Sequence, residues 1–259
     1  MIKRFLLFGF LVLVAGSAQA VEVSGTMLEQ RLDAIEQKKG AGSYREAQEM
    51  YETLLKDPAL AKSELKKVRS GYEKFNMEYL FSRFEMPEST WHTVVEGETL
   101  SEIAKKYQTT IGLIKRSNAL SNDTIYPGRK LKVVTGKFSI GIDKSENYLV
   151  LYLNDKRVKR YRVATGKNSS TPVGQFKIVN KLTDPTWYHA GAIVPPDSPD
   201  NTLGTRWMGF DYEGYGIHGT TEPDSIGKQA SAGCVRMRNT EVEELYAIVP
   251  VGTQVSITE

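Results

Sequence analysis

Cysteine is nearly missing from this 259-residue chain: there is one, Cys234. A lone thiol excludes an internal disulfide, so no covalent staple holds the fold. Histidine is almost as scarce, with three in all. One cysteine and three histidines are too few donors for an ordinary zinc site. An excess of one charge is lacking too. With 34 basic and 31 acidic side chains the formal net charge is +3. Nucleic-acid binding needs a concentrated basic face, so no nucleic-acid partner is expected. Beyond residue 20 no apolar run approaches the roughly 20 residues of a membrane-spanning helix.

What is present starts at the N-terminus. Lys3 and Arg4 precede an apolar run, Phe5 to Ala15, broken only by Gly9, and Ala18-Gln19-Ala20 follows. Basic start, apolar stretch and small-x-small site predict a signal peptide over residues 1–20, cleaved after Ala20, with an uncleaved anchor as the alternative. Export to the periplasm or cell wall reaches an oxidising compartment, where cysteines usually pair. An unpaired Cys234 there is buried and inert, joined to another molecule, or chemically employed.

Residues 21–86 read as helical. Thr26-x-x-Glu29 and Ser43-x-x-Glu46 fit capping boxes, in which a hydroxyl and a carboxylate satisfy free amides at a helix start. Leu28, Leu32 and Ile35, then Tyr44, Ala47, Tyr51 and Leu54, then Leu65, Val68, Tyr72, Phe75 and Tyr79 form stripes at helical spacing. Asp57-Pro58 breaks the middle. The region is expected to be a spacer or a small docking bundle, the latter offering a surface to an envelope protein.

The segment 91–135 follows the order strand, helix, helix, strand, with a capping box at Thr99-x-x-Glu102 and a turn at Tyr126-Pro127-Gly128. Val95-Glu96-Gly97-Glu98-Thr99-Leu100, Ile103-Ala104-Lys105-Lys106-Tyr107, Asn118 and Ile125-Tyr126-Pro127-Gly128 resemble a LysM module. That resemblance implies binding of N-acetylglucosamine chains, with Gly97, Thr99, Asn118 and Ile125 near the groove. His92 is expected to be structural.

From Lys137 the pattern turns to strands. Tyr148–Leu153, Asn154-Asp155 and Arg157–Ala164 read as a hairpin. Thr183–Gly216 is rich in Gly, Pro, Asp and Asn and reads as loop. Thr240-x-x-Glu243 is expected to cap one short helix before a last strand, Gln254–Thr258.

Two stretches carry chemistry: Gly216-Ile217-His218-Gly219-Thr220 and Ser231-Ala232-Gly233-Cys234-Val235-Arg236-Met237. A free thiol has a pKa of about 8.5 and attacks only as thiolate, so it needs a base. His218 fits that role. Gly219 lets the backbone run close to the imidazole. The amides of Gly233 and Cys234 are candidate oxyanion donors. Arg236, two residues on, shares a strand face with Cys234 and could orient a carboxylate or support the cysteine loop. Each residue alone has a bland reading; together they are specific.

These stretches, with Thr171-Pro172-Val173-Gly174 and Gly204-Thr205-Arg206-Trp207-Met208-Gly209, make residues 137–258 resemble an L,D-transpeptidase catalytic domain of the YkuD type. Many members carry histidine where Ala232 stands, so support for the His218 tautomer is expected from a backbone carbonyl near Gly219. The resemblance implies that Cys234 attacks a tetrapeptide stem, that D-alanine leaves, and that an amine resolves the thioester into a 3→3 crosslink or an exchanged terminus. Ser231, Trp207 and Tyr188 are expected at the substrate, and no cofactor or metal is called for. The alternatives are an L,D-carboxypeptidase and a non-catalytic peptidoglycan-binding scaffold. The expected fold is multidomain α+β: a helical N-terminal region, a βααβ LysM module and a mostly-β catalytic domain with one short helix. Its partners are peptidoglycan glycan strands and peptide stems.

Overall fold

A computed structural model describes the backbone of residues 15–189 and 191–259, and the side chains from Met27 onward, His189 excepted. The basic start and most of the apolar run of the expected signal peptide lie outside the described residues. Two compact units are present, one ending at Phe75 and one spanning Asn76–Glu259.

The first unit is helical. α1 covers Ala15–Gly40, α2 Tyr44–Leu55, and α3, Lys62–Phe81, runs past the unit boundary. The expected cap at Thr26 does not exist, because α1 continues through that residue. Ser43 does precede α2, but its side chain makes no cap bond. Burial follows the stripes read from sequence: Leu28, Ile35, Ala47, Tyr51, Leu54, Val68 and Phe75 are all buried. Tyr51 packs on Phe75 with ring centres 5.4 Å apart. Arg31 meets Asp57 at 2.5 Å, tying α1 to the turn after α2, and that hydrogen bond holds the Asp57 carboxyl below its usual range.

The second unit begins with the last turn of α3. β1 (Ser89–Thr93), α4 (Leu100–Lys106), α5 (Ile111–Ser117) and β2 (Lys130–Val134) follow, with β1 and β2 antiparallel. Val94, Leu100, Ile103, Ile114, Leu131 and Val133 form the core of this βααβ region. The Thr99–Glu102 capping box is present in full. Lys132 is buried without an acidic partner; its ammonium donates to the carbonyls of Tyr79 and Ser82 at 3.0 and 2.9 Å. Free carbonyls at a helix end carry partial negative charge and suit such a cation. Burial nevertheless lowers its pKa to about 8.

The remaining chain builds a mixed sheet. Its strands are β3 (Phe138–Asp143), β4 (Tyr148–Leu153), β5 (Lys156–Arg162), β6 (Thr165–Gly166), β7 (Gly174–Thr183), β8 (Trp187–His189), β9 (Ala192–Val194), β10 (Arg206–Phe210), β11 (Gly216–His218), β12 (Gln229–Ser231), β13 (Val235–Arg236) and β14 (Gln254–Thr258). Eight of them pair in the order β13-β11-β10-β7-β14-β3-β4-β5. Asn154 and Asp155 both take positive φ, as a tight hairpin between β4 and β5 requires. The expectation that Thr183–Gly216 is loop needs correction: β10 lies there, inside the sheet between β7 and β11. Its two glycine neighbours and single buried methionine gave a weak strand pattern. α6, Asn239–Ile248, lies against β10 and β11 and buries Val242, Leu245 and Ile248. Its N-cap is Arg238, and Thr240 sits inside the helix rather than capping it.

Candidate active site

His218 closes β11. Across the sheet it stands in register with Trp207 on β10 and with Arg236 on β13, which runs parallel to β11. The Trp207 ring stacks on the imidazole, centres 5.9 Å apart and planes 23° apart. Trp207 Nε1 donates to Asn180 Oδ1 at 3.0 Å, which fixes the indole. The indole thus backs the histidine, whereas the sequence placed it at the substrate.

The imidazole is buried, with 3% of the residue exposed. Its Nδ1 lies 2.7 Å from the carbonyl of Gly219. A carbonyl only accepts, so the neutral ring carries its proton at Nδ1 and leaves Nε2 as the basic nitrogen. Burial lowers the His218 pKa to about 4. The carbonyls of Gly219 and Leu203 pull upward and the Arg236 charge pulls downward, but desolvation dominates.

Cys234 directly precedes β13. Since Ile217 pairs with Val235 and His218 with Arg236, the cysteine stands beside Gly216, and the two-residue period puts it on the histidine face. The side chain is half-buried. Its sulfur donates to the Gly214 carbonyl at 3.4 Å. Burial pushes the thiol pKa up, while the Gly216 amide and the Arg236 charge act against that. Desolvation therefore favours the neutral form of both groups.

The cysteine loop is clamped from beneath. Thr171, 1% exposed, donates from Oγ1 to the Gly233 carbonyl and accepts from the Gly166 amide, both at 2.7 Å. Ser231 donates to the Cys234 carbonyl at 2.6 Å and accepts from the Gly233 amide at 3.1 Å. Two expectations change here. Ser231 is buried and shapes the loop instead of meeting substrate. The Gly233 amide is already bonded, so of the two expected oxyanion donors only the Cys234 amide stays a candidate. Gly233 has φ +147, and a Cβ there would lie 2.7 Å from Tyr215 Cε1, so the position requires glycine. At Gly219 a Cβ would strike Asn239 Oδ1. That oxygen accepts from the amides of Thr205 and Thr220 and holds the turn after the histidine.

Arg236 pairs with a carboxylate of the chain itself, Glu222, at 2.5 Å. Tyr188 stands in register with Ile193 on the β8–β9 ribbon and is 73% exposed. The side chain of His189 lies outside the described residues. Among the described residues no group of three or more His, Cys, Asp or Glu could hold a metal ion.

In the βααβ region, Asn118 is not at a groove. It is 2% exposed, donates to the carbonyls of Ile114 and Lys132, and accepts from the Lys132 amide, all at 2.8 Å. Thr99 is committed to its cap. Gly97, with φ +78, faces open space, and Ile125 packs partly against the core. His92 is buried between Glu98, at 2.7 Å, and Tyr107, at 3.2 Å.

Thr171, Asn239 and Gly216 were given no role from sequence. Thr171 stands in a recognised motif, but its partners are backbone atoms 5 and 62 residues away, and no spacing announces them.

A family model described as the L,D-transpeptidase catalytic domain matches residues 137–257, and the LysM domain model matches residues 92–134. A Bacillus licheniformis protein named as an L,D-transpeptidase, YkuD, is 36% identical over 175 residues, which is 64% of this chain and 98% of the relative. A Bacillus subtilis protein named as an L,D-transpeptidase, YqjB, is 44% identical over 124 residues, 46% of this chain and 69% of the relative. The catalytic domain of an E. faecium L,D-transpeptidase, solved by NMR, is 26% identical and aligns with 48% of this chain and 98% of its own at a TM-score of 0.40. The protein is thus a cell-wall-associated enzyme of the transpeptidase class. Within that class, the chain belongs to the YkuD family of L,D-transpeptidases and carries a LysM domain ahead of the catalytic one.

Proposed function

We propose that the protein is exported and acts on peptidoglycan tetrapeptide stems through a thioester on Cys234. The observation that carries this reading is the placement of Cys234 and His218 on one face of adjoining parallel strands, with the imidazole Nδ1 held by the Gly219 carbonyl. In the reaction, Cys234 Sγ attacks the carbonyl between the L-centre and the terminal D-residue. His218 Nε2 takes the thiol proton as the carbon–sulfur bond forms. The Cys234 amide receives the developing oxyanion. The carbon–nitrogen bond then breaks, and His218 returns the proton to the departing D-amino acid. An amine from a neighbouring stem attacks the thioester, giving a 3→3 crosslink; a free D-amino acid gives exchange, and water gives carboxypeptidase action. Because burial favours the neutral thiol and neutral imidazole, proton transfer accompanies attack rather than preceding it.

The LysM domain holds the enzyme on glycan strands, and the N-terminal helices act as spacer or as a dock for an envelope protein. The test uses purified disaccharide-tetrapeptides and mass analysis of the products. Loss of D-alanine with dimer formation is expected, and Cys234→Ala abolishes both. Tripeptides without dimers would favour the carboxypeptidase; turnover by the alanine variant would overturn the mechanism.

A further inference from the structure

α5 of the LysM domain and α6 of the catalytic domain lie against each other within one compact unit. The approach is close. Thr110 Oγ1 donates to the Ala247 carbonyl, and a Cβ added at Gly112 would come within 3.1 Å of the Ala247 backbone. Beside this contact runs an open groove of about 560 Å³ between the two domains.

The groove's charge is one-sided. Lys115, Arg116, Lys181 and Arg206 line it against one acid, Glu243, in a chain whose charges are otherwise nearly balanced. Lys115 is paired with Asp123 at 2.5 Å. Lys181 donates to the carbonyls of Tyr246 and Val249 at the end of α6. The two guanidiniums are held more loosely. Arg116 is exposed, 5.2 Å above the Phe81 ring. Arg206 donates to the Thr205 carbonyl at 2.6 Å and stands 3.8 Å from the exposed Asp184.

The ends of the groove give it direction. Ala119 and Leu120 at one end open the loop that leads to Ile125, where the LysM resemblance puts the sugar. Arg206 at the other end accepts the Gly219 amide on its carbonyl, one residue from His218. We propose that this groove is a second peptidoglycan contact, along which a glycan strand leaving the LysM domain carries its acidic peptide stems past Arg116 and Arg206. The proposal rests on the reading that the protein acts on peptidoglycan. Uncharged sugars alternating with stem carboxylates match a wall of mixed apolar and cationic character, and a guanidinium grips a carboxylate with two parallel bonds.

The test is co-sedimentation of the full chain with purified sacculi, either native or with their carboxyl groups amidated. The Arg116→Glu/Arg206→Glu variant is expected to bind native sacculi roughly tenfold more weakly, as two attractions become repulsions. Wild type is expected to lose about as much on amidated sacculi, where the variant loses nothing further. Arg116→Gln alone, at an exposed helix position, gives a smaller loss in the same direction and guards against a folding defect. Lys66→Glu/Arg69→Glu, an equal charge change on exposed positions of α3, binds like wild type. Equal binding of the seam variant and wild type to native sacculi, or an equal loss in the α3 variant, would overturn the track. Release of D-alanine from soluble disaccharide-tetrapeptide by wild type reports separately on the enzymatic reading, which can fail while the binding result stands.

Discussion

Thr171→Val keeps the size and branching of the side chain and removes one hydroxyl. In the native loop that hydroxyl bridges the Gly233 carbonyl and the Gly166 amide, both at 2.7 Å, in a residue that is 1% exposed. Valine leaves one buried acceptor and one buried donor without partners. Each such group costs about 1–3 kcal/mol, so the variant should be destabilised by about 2–5 kcal/mol. The loss falls on the residue before Cys234. A displacement of about 1 Å of a reacting group can cost roughly a hundredfold in rate, so acylation should slow by about ten- to a hundredfold. Urea unfolding followed by tryptophan fluorescence measures the first effect, and the rate of Cys234 acylation by a carbapenem, read by intact mass, measures the second. Thr171→Ser restores the hydroxyl and loses only a methyl, so it should stay within about 1 kcal/mol of wild type and keep the rate. If the valine variant unfolds and acylates like wild type, the two bonds do not clamp the nucleophile loop.

Two further outcomes follow from buried groups. His218 is held neutral down to about pH 4, against 6.5 when unfolded; between those values the unfolded chain binds the extra proton, so stability is complete above pH 6.5 and falls by about 3 kcal/mol on reaching pH 4, a slope that His218→Gln should lose in urea titrations at stepped pH. Asn118→Ala removes three bonds between α5 and β2 and should destabilise the LysM domain by about 3 kcal/mol; hydrogen exchange at Leu131 and Val133 faster by less than tenfold would show that the clamp is unimportant.

The elements that could be read from sequence are those whose pattern is internal to the element. The capping box at Thr99 and Glu102, the stripe from Val68 to Phe75 and the turn at Asn154-Asp155 are of this kind, and each is present as read. The failures share a different cause. Thr26 and Ser43 have the right residue three places before a glutamate, but the capping pattern does not say whether the helix has already begun or whether the hydroxyl turns inward. β10 was hidden because Arg206, Trp207 and Gly209 do not alternate in polarity, although the strand is enclosed by β7 and β11. Ser231 and Asn118 look like polar groups awaiting a ligand, and both bond to backbone atoms instead. Backbone amides and carbonyls are the same at every position, so a side chain that bonds to them leaves no matching residue type elsewhere in the chain.

The same reasoning explains why identifying the histidine and the cysteine did not fix their protonation states. A thiol beside an imidazole suggests an ion pair. Burial moves both groups the other way, lowering the basicity of His218 and raising the thiol pKa. Arg236 cannot reverse this, because its charge favours the thiolate while disfavouring the imidazolium, and Glu222 offsets part of that charge at 2.5 Å. Under the proposed reaction the resting pair is therefore neutral. The negative charge appears on sulfur only as it is passed to the substrate carbonyl, where the Cys234 amide can meet it. A reactive thiolate left standing in an oxidising compartment would be open to oxidation, since susceptibility follows thiolate character and exposure. A lone cysteine kept neutral until substrate arrives avoids that exposure, and half-burial of Cys234 contributes to the protection.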